Sequence, residues 1–183
     1  RWQKNGCDGQ FGTFGVRKGT GTDFEFQFQR SDTGAAEVIP RFYFSFFDFD
    51  GGVGTEQLDA YGFDHFAMVD GSTVQVTNKA YMSASDTSKL TVSWQSTDRG
   101  GARNNPKDPT QLNEAQKKRS VTLHYTNTST FKVRFSADPS GTVKLNSNRR
   151  LLFASKSNLI VRSRTTTNPA MTHDLRRTNR DHP

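Results

Sequence analysis

Apolar positions along this chain recur every second residue, the period of a strand rather than of a helix. Asp23 to Arg30 sets Phe24, Phe26 and Phe28 on one face and Glu25, Gln27 and Gln29 on the other, which predicts a half-buried strand. Arg41 to Phe49 is denser. Phe42, Phe44 and Phe46 share one face, and Tyr43, Ser45 and Phe47 share the other, as in a central strand covered on both sides. Further strands are predicted over 63–69, 73–77, 90–95, 120–125, 130–136 and 150–154. Val121, Leu123 and Tyr125 alternate, as do Phe131, Val133 and Phe135, and the intervening Asn127-Thr128-Ser129 reads as the turn of a hairpin.

Short strands at such intervals predict an all-β fold, an antiparallel, jelly-roll-like sandwich with one short helix near 109–118. The helix is expected to start at Asp108, with Pro109 at its first position and Gln111 in a capping-box-like arrangement. Leu112 and Ala115 would pack it on a sheet, because so short a helix is not stable alone. The alternation ends near Ile160. Residues 1–160 therefore read as the sandwich domain, and 161–183 as a polar, basic tail too poor in apolar residues to order itself, which is expected to dock on a partner.

Composition refines this picture. The 183 residues include 15 Phe, so the core is expected to be built on phenylalanine. A net charge of +7 raises the question of nucleic acid, but its distribution answers it. The segment from Lys156 onward carries +4 and the long body only +3, which is a charged tail rather than a basic reading face. Arg162, Arg164, Arg176, Arg177 and Arg180 are its candidate contacts with other protein subunits, and no nucleic-acid partner is expected. No run approaches the roughly 20 apolar residues of a membrane-spanning helix. The lone Cys7 permits no internal disulfide and is read as an N-terminal loop thiol. Asn127 heads an Asn-Thr-Ser glycosylation triplet.

Three groups of residues bear on chemistry. Asp48, Asp50, Glu56, Asp59 and Asp64 cluster around Gly51 and Gly52, and hard oxygen donors beside flexible backbone suit calcium. The competing reading is that the aspartates hydrogen-bond their own turn. The long 96–109 loop offers Arg99, Arg103 and Asn104 to a sugar or peptide, with Trp94 or Tyr61 as a stacking face, unless its polar residues serve the local backbone. The histidines His65, His124, His173 and His182 sit in no nucleophile or zinc-hydrolase motif, so the chain is not read as an enzyme. His65 and His124 read as ordinary strand residues.

The blocks Asn5-Gly6, Phe11-Gly12, Lys18-Gly19-Thr20, Phe42 to Asp50, Asn105-Pro106-Lys107-Asp108-Pro109 with Leu112, Gln116, Arg119 and Val121, and Leu151-Leu152-Phe153-Ala154 resemble a β-sandwich module of large secreted or surface proteins of unicellular eukaryotes, chiefly algae. The resemblance covers residues 5 to 155 and departs from the family at Asn148-Arg149-Arg150, where a glycine-bearing strand is usual, and in the added tail. It implies an extracellular or cell-surface place, or alternatively an organelle lumen, and a structural or lectin-like role. The expected function is a non-catalytic binding or structural subunit of a larger assembly, with calcium-dependent carbohydrate binding as the alternative.

Overall fold

The computed structural model describes residues 5–51, 54–79, 91–100, 105–138, 148–155 and 166–167. In chain order the strands are β1 (Gly6–Asp8), β2 (Phe11–Arg17), β3 (Thr20–Gln27), β4 (Ile39–Phe47), β5 (Glu56–Ala60), β6 (His65–Ala67), β7 (Val74–Lys79) and β8 (Thr91–Ser96). A single helical turn, α1 (Glu114–Lys117), precedes β9 (Val121–Thr128), β10 (Thr130–Ala137), β11 (Asn148–Ala154) and β12 (Thr166–Thr167). They form two antiparallel sheets, ordered β1-β2-β11-β4-β9-β6-β12 and β3-β10-β5-β8-β7. Early and late strands pair, β2 with β11, β3 with β10, β4 with β9 and β5 with β8, and the members of successive pairs lie in opposite sheets. That is a long two-stranded ribbon bent into two layers, the jelly-roll arrangement. β6 and β7 extend one edge of each layer.

The alternating side chains meet between the layers. Phe14, Phe44, Phe46, Leu123, Tyr125 and Leu151 from the first sheet face Leu58, Val92, Trp94, Phe131, Val133 and Phe135 from the second, in one buried cluster. Phe24, Phe26 and Phe28 of the β3 segment pack on it but remain partly open, because β3 is an edge strand. β4 lies inside its sheet, and its second face is covered as well: Phe47 joins Phe11, Leu152 and Leu112 in a smaller cluster behind the sheet. Leu112 thus anchors the connection leading to α1.

Two local expectations are corrected by the pairing. β9 and β10 do not form a hairpin: β9 bonds to β4 and β6 in one sheet, β10 to β3 and β5 in the other. The chain crosses the core gap at Ser129, after Asn127 adopts a φ of 46°. Two amphipathic strands can close as a hairpin or as an arch with both apolar faces inward, and alternation alone does not choose between them. The helix lies inside the expected range but is capped five residues later than Asp108. Asn113 Oδ1 accepts from the Gln116 N–H and Gln116 Oε1 accepts from the Asn113 N–H, a reciprocal box. Asp108 instead holds the Thr110 N–H and hydroxyl in a turn of its own, and Ala115 faces solvent. Cys7 lies on the edge strand β1, exposed, rather than in a loop.

Candidate functional site

Of the five acidic residues read as calcium ligands, the fold gathers three. β4 ends at Phe47, and Asp48 turns the chain with a φ of 68° while Phe49 stays in the core. Glu56 shares the inward face of β5 with Leu58 and Ala60, so its carboxylate points into the end of the sandwich, 2% exposed. Its Oε2 accepts the Asp50 N–H at 3.1 Å. Asp59 lies on the outer face of β5, where Gln57 Nε2 and Ser93 Oγ donate to it. Asp64 lies on the far side of the other sheet, beside His124.

Two of the three gathered carboxylates, Asp50 and Glu56, flank a guanidinium, and Asp48 lies beside Asp50. Arg149 points inward from β11, opposite Glu56 on β5, so the pair bridges the two sheets. Its Nη2 donates to the Gly51 carbonyl at 2.5 Å, its Nη1 lies 3.7 Å from Asp50 Oδ1 and its Nε 3.9 Å from Glu56 Oε1. Arg119 braces the next loop by donating to Asp98 at 2.6 Å. Gly100 is required there, because a Cβ would stand 1.9 Å from Asp50 Oδ2. Burial and then the Asp50 charge push the Asp48 carboxyl up to about 6, and burial raises Asp50 and, more strongly, Glu56. Asp48 Oδ1 is buried without a hydrogen-bond partner among the described residues. No three His, Cys, Asp or Glu side chains converge to hold a metal among the described residues. The compensating charges are arginines: Arg149 for Asp50 and Glu56, and Arg150 with Arg119 for Asp48.

Of the ligand-contacting residues expected near the 96–109 loop, Trp94 and Arg99 lie among the described residues. Trp94 is fully buried, its indole packed on Phe63 and Phe66, because its position on β8 faces inward; it presents no surface for a sugar. Arg99 is exposed. Arg103 and Asn104 lie outside the described residues, as do Arg162, Arg164, Arg176, Arg177 and Arg180 of the tail. Asn127 is exposed on the β9–β10 arch.

Two features escape a linear reading. Where β1 and β3 edge the two layers, the sheets leave a cleft of about 620 Å³ lined by Phe14, Phe24, Phe26, Phe44 and Phe153, with Asn5, Cys7, Gln10 and Thr110 at its polar margin. Gly12 opens it. A Cβ there would meet the Phe153 ring at 2.2 Å, so the missing side chain lets that ring lie against the β2 backbone. Among the described residues, the cleft lining contains one carboxylate, Glu25, tied to Lys132 at 2.7 Å, and no histidine. The second feature is a row on the outer face of the first sheet, where Tyr43, His124 and His65 stand opposite one another across β4, β9 and β6. Its signal lies in strand register, which spacing along the chain does not carry. Burial and the neighbouring His65 lower the pKa of His124.

No protein-family model, curated protein or solved structure matches this chain.

Proposed function

We propose that this protein is a non-catalytic binding module and that it seats an uncharged apolar ligand in the phenylalanine cleft. The cleft itself carries the reading. Its volume of about 620 Å³ falls in the range of small-molecule sites, its walls are aromatic, and its polar groups are few and marginal. A ligand with a net charge would meet no free counter-charge there, since Glu25 is already paired with Lys132. Among the described residues of the lining, Cys7 has no histidine beside it. The wider setting, a subunit of an extracellular, surface or lumenal assembly that holds protein partners through its basic tail, rests on the family resemblance for its place and on composition for the tail, and belongs to the same proposal.

The alternative is calcium-dependent carbohydrate binding at Asp48, Asp50 and Glu56. It is favoured by the buried, unpartnered Asp48 Oδ1 and by the raised carboxyls, which a divalent cation would return to the charged form. One experiment separates the two. An apolar fluorophore such as N-phenyl-1-naphthylamine is titrated into the full chain in calcium and in chelator, alongside the Cys7→Trp variant, whose indole fills the cleft from an exposed edge. The proposal expects saturable binding that is indifferent to calcium and weakened about tenfold or more by Cys7→Trp at unchanged melting temperature. Probe binding that ignores the substitution removes the cleft as the site. Glycan binding on an array that appears only with calcium replaces this reading by the alternative.

A further inference from the structure

His65 and His124 are separated by most of a sandwich in sequence, yet the β6–β9 register sets them directly opposite each other. Phe66 and Leu123 point into the core from the same two strands, so both imidazoles stand on the outer face. Their rings stack, with centroids 4.2 Å apart and planes 28° apart. Tyr43, half exposed, flanks His124 on the other side at 4.8 Å. Asp64 completes the group. Its main-chain N–H donates to the His124 carbonyl at 2.8 Å, which fixes the residue, and its Oδ2 faces His124 Nδ1 across 3.2 Å. Both atoms are buried and form no hydrogen bond of regular geometry among the described residues, so this close approach is the polar contact they make.

A carboxylate against one ring nitrogen selects the tautomer with its proton on that nitrogen and leaves the lone pair on the other, the arrangement that supports metal-ligating histidines. Two imidazole nitrogens on one ion, each at about 2.0–2.1 Å, must come within about 3 Å of each other, which neighbouring rings at this separation reach by rotation about their side-chain bonds. We propose that His65 and His124 form a cross-strand clamp for a divalent transition-metal ion, with Asp64 as its positioning residue. With two protein donors the remaining coordination positions are open to water or to a donor from a bound molecule. Imidazole ligation selects copper, nickel or zinc over calcium and magnesium, so the clamp is chemically distinct from the carboxylates around Arg149.

The test uses the full chain carrying Cys7→Ser, His173→Ala and His182→Ala, which leaves His65 and His124 as its only imidazoles and removes the thiol that copper would oxidise. Cu²⁺ titration followed by electron paramagnetic resonance should give one ion per chain with two equatorial nitrogens. His65→Gln should convert the spectrum to a single nitrogen and weaken binding by about tenfold or more. Asp64→Asn should weaken it by about 10–100-fold while the two-nitrogen spectrum persists, the mark of a residue acting through its neighbour. Loss of Cu²⁺ binding in the background variant, or an unchanged affinity and spectrum in His65→Gln, overturns the proposal. The unsubstituted chain provides a check independent of variant folding: long-range ¹⁵N spectra should show both the His65 and the His124 ring nitrogens shifting with Zn²⁺, and a Zn²⁺ titration that moves neither ring refutes the clamp.

Discussion

Arg149 is four-fifths buried and supplies positive charge to carboxyls that burial would otherwise neutralise. The compensation is incomplete, since Asp48, Asp50 and Glu56 all keep raised pKa values. A raised carboxyl binds its proton more tightly in the folded state than in the unfolded chain. The cluster therefore stabilises most at low pH, and that contribution is lost as pH climbs from the ordinary carboxyl range through about 6 for Asp48, with Glu56 shifted in the same direction by its burial. Glu56→Gln keeps an acceptor for the Asp50 N–H and removes the charge. Its melting temperature should exceed that of the wild type at pH 8, with a shift of about 2–4 °C for each kcal/mol gained, and the difference should shrink towards pH 4. Equal pH slopes for the two proteins would show that Glu56 does not titrate as its burial requires. At this scale sequence reading went part of the way. Asp48, Asp50 and Glu56 are near neighbours in the chain and were grouped on that ground, whereas Arg149 reaches them only because β11 pairs beside β4.

The strands with regular alternation were legible, and the ones that were not have identifiable reasons. β5 reads Glu-Gln-Leu-Asp-Ala, a poor strand by propensity, yet it lies inside the second sheet between β10 and β8, where burial of Leu58 and Ala60 decides the matter. β2 is interrupted by Gly12 and Gly15, and Gly12 is there for the Phe153 ring rather than for a turn. The β9–β10 connection is legible as a turn, but alternation does not say which strands its two arms pair with. Its conformation can be tested directly. Asn tolerates the left-handed φ of 46° at position 127, Gly adopts it freely, and a β-branched residue does not. Asn127→Gly should leave unfolding free energy within about 0.5 kcal/mol, while Asn127→Val should cost roughly 1–2 kcal/mol in chemical denaturation. Equal stability of the two variants would mean that the crossing does not depend on this residue's backbone.

For the molecule as a whole, a sandwich was readable because the period of two repeats along most of the chain, whereas the cleft and the histidine row depend on which strands become neighbours. The strand pairing also sets an order in time. The ribbon's inner pair, β5 with β8, closes a shorter stretch of chain than β4 with β9 does, and β2 with β11 closes the longest of all, so that Phe14 waits for Leu151. Each inner pairing shortens the search for the next, which makes assembly from the tip towards the ends the economical route. Opening runs in reverse. Gly12, Phe14 and Phe153 belong to that last pair and also line the cleft, so the proposed ligand site lies on the section of the fold expected to close last and loosen first. Native-state hydrogen exchange should find β2 and β11 amides exchanging ahead of those in β5 and β8; the opposite order would place the loose end elsewhere. A guest in the cleft would then act as a latch on the final turn of the roll, slowing its release without touching the strands that form first.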